Sequence, residues 1–211
     1  DDNENKPKGF FWNNSQFSYS DAMALYCMVR YLKPSKIIEI GGGFSTLIMN
    51  ESLSKNGHGS ITEIEPYPRP FMRQIRKISC FIDKRVQEVT LSLFQSLKKN
   101  DILSIDSTHN IKESSDCTYI YLKIMNNIPK GVYIHIHDIF LPETLPKEWH
   151  YKHSIYWTEQ YIVQALLNDT NKYKLVYGSN YHNIFNPKQL LSLMGNKKEI
   201  GGGSIWLKKI S

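Results

Sequence analysis

The sequence predicts an α/β fold: a mostly parallel sheet covered by helices on both faces, with an antiparallel C-terminal edge strand. Three observations carry this. Short apolar runs at 36–40, 61–64, 102–105 and 132–136 alternate with segments of helical spacing, the pattern of parallel sheets. The runs are unbroken rather than alternating, as expected when helices cover both faces. A late strand pair at 173–177 and 204–209 follows the alternating units, as an antiparallel edge would.

The elements follow in order. Residues 1–15 are polar, with Pro7 and Gly9, and read as a loose lead-in. Apolar positions at helical spacing behind a Ser/Asp start predict a helix over 18–32, ended by Pro34. The strand 36–40 (KIIEI) runs directly into GGGFST, and a helix over 45–54 follows. After the Asn56-Gly57 turn comes the strand 61–64, closed by Glu65-Pro66. A basic helix near 68–79, a strand near 85–89 and a helix over 90–99 are expected next. The strand 102–105 ends at Asp106, a helix spans 113–127, and the strand 132–136 ends at His137-Asp138. Residues 139–156 are rich in proline and aromatics and have no clear period. A helix over 157–168 and the strand 173–177 follow, then an irregular stretch over 178–200 and the last strand. The whole reads as a single domain, with 139–200 as a lid and acceptor region.

Composition narrows the class. The chain has 211 residues, 41% hydrophobic and 22% charged, which excludes a coiled coil, a collagen-like chain and a disordered tail. A run of about 18 apolar residues is missing, so no membrane span is expected. No charged n-region and apolar h-region open the chain, so no signal peptide is expected. Net charge is +6, but the lysines fall in scattered pairs such as Lys98-Lys99 and Lys208-Lys209, not in a stripe, which makes nucleic acid an unfavoured partner. The three cysteines, Cys27, Cys80 and Cys117, are far apart and without C-x-x-C spacing, which fits a reducing cytoplasm.

Chemistry is expected at the carboxyl ends of the strands, where open α/β sheets bind ligands. The first strand brings Glu39, Gly41, Gly42, Gly43 and Ser45 there. The glycines allow a tight turn, and the next helix aims its N–H groups at a ligand. Glu65, ending the second strand, is placed to bind ribose hydroxyls. Glu39 would repel a pyrophosphate and suits a ligand with a cationic group, which points away from NAD and toward S-adenosylmethionine. The fourth strand delivers Asp106 and His109, the fifth His137 and Asp138. Such a set can bind a divalent cation through Asp106, His137 and Asp138, and His109 is the candidate general base. The plainer alternatives are a turn cap for Asp106 and a surface histidine at 109. His135, inside the strand, reads as a core histidine.

These residues form four motifs: E-I-G-G-G-F-S-T at 39–46, I-E-P at 64–66, S-I-D-S-T-H at 104–109 and P-K-G-V-Y-I-H-I-H-D at 129–138. Together they resemble the class I S-adenosylmethionine-dependent methyltransferases. The pattern is most similar to the small bacterial branch with I-D-x-x-H and H-D motifs, associated with O-methylation of sugars and natural products. The resemblance covers about 18–140. It implies a Rossmann-like sandwich, S-adenosyl-L-methionine as cofactor and a small-molecule or glycan hydroxyl as acceptor. It implies that Glu39, Gly41, Gly43 and Ser45 shape the cofactor loop, that Glu65 holds the ribose, and that Asp106 lies near the methionine end or a metal. His109 takes the place of the base. A magnesium or manganese ion is implied near Asp106, His137 and Asp138, with an imidazole at 137 where the branch has a second carboxylate. Gln87 and Glu88 are both candidates for the adenine contact. Trp149, His150, Tyr151, His153, Tyr156 and Trp157 are candidates for the acceptor wall. Two alternatives stand beside this reading. One is an RNA or protein acceptor, motivated by the charge. The other is an inactive methyltransferase-like binding module of a longer protein, motivated by an opening DDNENK without Met. A homo-oligomer is compatible with all of them.

Overall fold

In the computed structural model of the chain, residues 3–17, 19–168, 171–196 and 199–211 are described. The predicted helix start at Ser18 therefore lies outside the described residues. The elements are α1 (Tyr19–Leu32), β1 (Lys36–Ile40), α2 (Phe44–Asn56), β2 (Ser60–Ile64), β3 (Ile78–Ile82), α3 (Leu91–Gln95) and β4 (Ile102–Ile105). Then α4 (Asp116–Tyr119) runs through a π-helical turn (Ile120–Ile124) into α5 (Met125–Asn127). The rest are β5 (Tyr133–Ile136), α6 (Lys147–His153), α7 (Glu159–Leu167), β6 (Tyr173–Gly178), α8 (Ser179–Phe185), α9 (Pro187–Leu193) and β7 (Ile205–Lys209).

Among the described residues seven strands form one sheet in the order β3-β2-β1-β4-β5-β7-β6. β1 to β5 are parallel, and β7 runs antiparallel to both β5 and β6. The antiparallel C-terminal strand is thus present at this edge, with β6 outermost. Side chains alternate between the faces. Ile37 packs with Leu25, Met49 and Leu53 from α1 and α2, whereas Ile38 packs with Phe94, Ile120 and Ile124 on the other side. This is why the central strands read as continuous apolar runs. Each fully buried Ile contributes about 1.5–3 kcal/mol relative to exposure. Among the described residues no helix is long and apolar enough to cross a membrane.

Several expectations are corrected. Residues 68–79 do not form a basic helix. Pro70 opens only a 3₁₀ turn (Pro70–Gln74), and the third strand is ISCFI at 78–82, not 85–89. That strand pairs with β2 alone and leaves Ser79 and Cys80 exposed, so its apolar signal is thin. Val86–Glu88 is a 3₁₀ turn that buries Val86. The helix over 90–99 stops at Gln95, because Asp101 accepts hydrogen bonds from the Lys98, Ser35 and Lys36 amides and ties that corner to β1. The unpatterned stretch 139–156 holds α6, which buries none of its residues. The stretch 178–200 holds α8 and α9, the latter opened by Pro187 at its first turn. The lead-in is not loose at its end. The Asn14 side chain ties Phe11 and Phe17, and Phe11 packs edge-on against Phe44 at 5.5 Å.

The order reverses at β1: the chain moves outward to β2 and β3, then crosses to β4 on the other side. Ligand crevices form at such switch points, beyond the strand carboxyl ends. There the Asp106 amide donates to the Ile40 carbonyl at 2.8 Å, and the Gly41 amide to the Ile64 carbonyl at 3.1 Å.

Candidate active site

A cavity of about 530 Å³ opens at this switch point, bordered by Gly41, Glu65, Val86, Gln87, Asp106 and Ser107. Gly41 has φ +77°, and a Cβ there would overlap the Asp106 carbonyl, so only glycine lets β1 and β4 approach this closely. The rest of the loop is held from behind. Glu39 is 1% exposed and accepts from Ser45 Oγ at 2.6 Å and Thr46 Oγ1 at 2.7 Å, while Thr46 Oγ1 accepts from the Gly43 amide at 2.9 Å. Glu39 therefore binds the start of α2 and does not face the cleft. Gly42 packs over the Glu63 carboxyl and Met72. Glu65 accepts from the Tyr67 amide at 2.7 Å, and burial raises its pKa. Gln87 borders the cavity and has a buried Oε1 without a hydrogen-bond partner among the described residues, whereas Glu88 borders a neighbouring hollow.

Beside the cleft, two imidazoles flank a carboxylate pair. His109 Nε2 lies 3.3 Å from Asp106 Oδ1 and 3.6 Å from Asp138 Oδ2. His137 Nδ1 lies 3.5 Å from Asp106 Oδ2 and 3.5 Å from Asp138 Oδ2. Each imidazole has a further carboxylate behind it. Glu159 Oε2 sits 2.6 Å from His109 Nδ1, and its Oε1 accepts from Tyr121 at 2.7 Å and Ser107 at 3.0 Å. Asp21 Oδ2 sits 3.6 Å from His137 Nε2. Asp21 also accepts from Ser179 Oγ and from the Gly203 and Ser204 amides. The row thus reads Asp21, His137, the Asp106/Asp138 pair, His109, Glu159. Two of its residues have left-handed backbone, His109 at φ 59° and Asp138 at φ 58°, the kind of strain that concentrates at functional sites. The His109 carbonyl in turn accepts from the Thr158 and Glu159 amides, which seats the start of α7.

Electrostatics follow from this packing. Burial works against a charged His109, but hydrogen bonds and charge from Asp106 and Glu159 outweigh it and push its pKa up to about 10. Burial likewise opposes charge on His137, and Asp138 and Asp106 raise its pKa well above the ordinary value. Burial would raise Asp106, yet His137 and His109 hold it below the usual carboxylate range. Burial raises Asp138. His135 is pushed down to about 3 by burial and by the charge of His137, so it stays neutral between Ser104 and Ser204 as a core histidine.

The structure brings Asp106, His109, His137 and Asp138 together at one mouth, with Gly41 and Glu65 in the adjoining cleft. Sequence reasoning missed two members, Asp21 and Glu159. Glu159 opens a helix, where an acid is favourable anyway, yet it is 1% exposed and faces His109. The lid aromatics divide. Trp157 lies on the His109 ring with centroids 4.0 Å apart, Trp149 meets Trp157 edge-on at 5.2 Å, and Phe140 meets Trp149. Tyr151, His153 and Tyr156 point to solvent. From the other side Phe17 packs on His137 at 4.8 Å.

Comparisons with known proteins bear on the fold that carries this site. Residues 38–139 match the family model described as a methyltransferase domain. An uncharacterized protein of Archaeoglobus fulgidus is 37% identical over 98 residues, 44% of this chain and 44% of that protein, so the match spans under half of the relative. The fold is similar to that of the O-methyltransferase TomG from Streptomyces achromogenes, solved with S-adenosylmethionine. That match has a TM-score of 0.55 and 11% identity, over 90% of this chain and 79% of TomG. It is also similar to the O-methyltransferase from Bacillus cereus, solved with S-adenosylhomocysteine. There the TM-score is 0.54 and the identity 12%, over 98% of this chain and 85% of that one. At such identities the likeness is one of fold. Residues 38–139, just under half of the chain, are thus similar to a methyltransferase domain, and the fold is similar to that of methyltransferases solved with S-adenosylmethionine or S-adenosylhomocysteine.

Proposed function

We propose that the chain is an O-methyltransferase that moves a methyl group from S-adenosylmethionine to a hydroxyl of a small molecule or glycan. One observation carries this reading: Asp106 both borders the cofactor cleft and contacts His109, so an imidazole and two carboxylates lie where the cofactor's reactive end would meet an acceptor. The cleft residues fit that cofactor. Gly41 lets a ligand approach the main chain, Glu65 is placed for ribose hydroxyls, and the unpartnered Gln87 Oε1 suits an adenine amino group. When bound, S-adenosylmethionine supplies an activated methyl group on a sulfonium.

We assign the acceptor proton to His109 Nε2, because Glu159 occupies Nδ1 and fixes the ring. With its pKa at about 10 the ring must first give up its own Nε2 proton, which a divalent cation at the Asp106/Asp138 pair would favour by offsetting their charge. Trp157 and Trp149 wall the acceptor side and exclude water. Holding donor and acceptor in line is the larger part of catalysis for such a transfer. A magnesium or manganese ion fits the same mouth. Asp106, His109 and Asp138 place donor atoms within 4.8 Å of one another, and the buried His137 Nδ1 faces both aspartates. We assign Asp106, His137 and Asp138 as its ligands. Such an ion would orient the acceptor oxygen and ease its loss of a proton. The three cysteines are free, which supports a reducing, cytoplasmic setting.

Calorimetric titration with S-adenosylmethionine and S-adenosylhomocysteine tests the cofactor, followed by methyl transfer to a panel of hydroxylated acceptors. Micromolar binding is expected. His109→Ala should abolish transfer and leave cofactor affinity nearly intact. Absence of cofactor binding would sink the reading, and full activity in His109→Ala would sink the assignment of the base.

A further inference from the structure

We infer that this mouth selects a transition-metal ion of the manganese(II), iron(II) or cobalt(II) kind over magnesium, and that Asp21 sets this choice through His137. The inference rests on the metal-assisted reading above and goes beyond it in the ion's identity and in the residue that controls it.

The first observation is the orphaned nitrogen. His137 is 6% exposed, and its Nδ1 has no hydrogen-bond partner among the described residues, yet it faces Asp106 Oδ2 and Asp138 Oδ2 at 3.5 Å each. A buried polar atom without a partner is costly. Two donors bound to one ion at about 2.1 Å, at right angles, lie roughly 3 Å apart, so a small inward movement of these three atoms completes a coordination face. The second observation is composition. Asp21, Asp106, Asp138 and Glu159 place four carboxyl groups around two imidazoles in a largely buried row, an excess of acid of the kind a divalent cation offsets.

The donor types then choose the ion. Magnesium takes oxygen ligands and holds its waters, whereas imidazole nitrogen suits first-row transition ions. An all-oxygen pair at 137 and 138 would suit magnesium, but here one position offers nitrogen. Ligating histidines characteristically turn their second nitrogen to a carboxylate, which orients the ring and strengthens the ligand. Asp21 is that carboxylate, 3.6 Å from Nε2. It is itself fixed from three places: Ser179 at the start of α8, and the Gly203 and Ser204 amides before β7. The same strap seats the Asp138 corner, since the Ile139 amide donates to the Gly203 carbonyl at 2.5 Å. Asp21 is therefore a positioning residue for the whole metal face.

The test uses metal-stripped protein and the ions alone. Manganese, cobalt and magnesium are titrated by calorimetry, and the visible absorption of bound cobalt reports nitrogen ligation. Manganese and cobalt are expected to bind at least tenfold more tightly than magnesium. Asp21→Asn should weaken manganese and cobalt binding roughly 10–100-fold, with S-adenosylhomocysteine affinity and circular dichroism retained. His137→Asp, which restores an all-oxygen set, should narrow or reverse the preference, and it keeps the question answerable if Asp21→Asn does not fold. Magnesium binding as tightly as manganese in the wild type overturns the inference, as does the lack of any metal binding. Unchanged metal affinity in Asp21→Asn removes Asp21 from it. S-adenosylhomocysteine titrated in parallel separates the two readings, because its binding bears on the methyltransferase assignment and the metal titration bears on this one.

Discussion

Replacing Glu159 by Gln changes chemistry more than shape. The carboxylate is buried and accepts three hydrogen bonds, with Oε1 serving Tyr121 and Ser107 and Oε2 serving His109 Nδ1. A glutamine can keep its oxygen at the first position and satisfy Tyr121 and Ser107. Its NH₂ then faces His109 Nδ1, and two donors cannot share that contact. The imidazole must then leave Nδ1 unprotonated and keep its one proton on Nε2, the nitrogen that faces Asp106 and Asp138, and Nε2 cannot accept a proton from a substrate. The stability cost is the loss of one charge-assisted hydrogen bond partly replaced by a neutral one, about 1–2 kcal/mol. At about 2–4 °C per kcal/mol for a chain of this size, the melting temperature should fall by roughly 2–8 °C. The catalytic cost should be far larger, about 10²–10⁴ in rate, as for other imidazoles locked in the wrong tautomer. Nitrogen-15 NMR of labelled histidine reads the tautomer directly, and methyl transfer at saturating cofactor reads the rate. An unchanged His109 tautomer, or activity within tenfold of wild type in a folded variant, would refute the role given to Glu159.

Gly41→Ala should act on the cleft and the fold together. The left-handed φ costs about 1 kcal/mol for alanine, and the overlap with the Asp106 carbonyl adds about 1–3 kcal/mol of overpacking. A melting temperature lower by roughly 4–16 °C and at least tenfold weaker S-adenosylhomocysteine binding are expected, and wild-type values in both would contradict the close approach of β1 and β4. Glu63→Gln should change how stability depends on pH. Glu63 is buried without a hydrogen-bond partner among the described residues, opposite Glu39 in the β1–β2 register. Burial and the Glu39 charge raise its pKa well above normal. The folded state therefore holds a proton that the unfolded chain releases near pH 4–5. This contribution to stability is full below that range and declines as pH rises toward the raised folded value. Thermal unfolding from pH 5 to 8 should show the wild type losing more stability than Glu63→Gln, and parallel curves would remove Glu63 as the source.

What could be read in advance follows burial. β1, β4 and β5 are covered on both faces, so Ile37, Ile38, Leu103 and Ile134 are apolar whichever way they point, and the strands stand out in the sequence. β3 lies at the edge with Ser79 and Cys80 exposed, and its five residues carry no stronger signal than the turn at 86–88. The basic residues around 73–77 suggested a solvated helix, yet Pro70 and the Ile75 cap hold only a single 3₁₀ turn there. Helices α8 and α9 were hidden for a related reason. They leave Tyr181, Ile184, Phe185 and Leu193 substantially exposed, so no apolar stripe separates a buried face from a wet one.

The site divides in the same way. Asp106, His109, His137 and Asp138 were visible because strand ends of one parallel sheet must meet, so topology converts sequence position into proximity. Glu159 lies 50 residues from His109, and Asp21 lies 158 to 183 residues from Ser179, Gly203 and Ser204, so no periodicity links them to those partners. Each looks like an ordinary acid in the first turn of its helix, where a carboxylate is favourable anyway. The structure separates the two explanations by burial. An acid that only complements a helix dipole remains in water, whereas Asp21 and Glu159 are 3% and 1% exposed and each faces an imidazole. Desolvating a carboxylate that far costs several kcal/mol unless a partner repays it, and a helix dipole contributes at most about 2 kcal/mol. The donors that face them must therefore account for the difference: an imidazole in each case, with Ser179 and the Gly203 and Ser204 amides around Asp21 and Tyr121 and Ser107 around Glu159. That places both acids within the working unit of the site: each imidazole is held by a carboxylate behind it, and the ring nitrogens that remain face the Asp106/Asp138 pair.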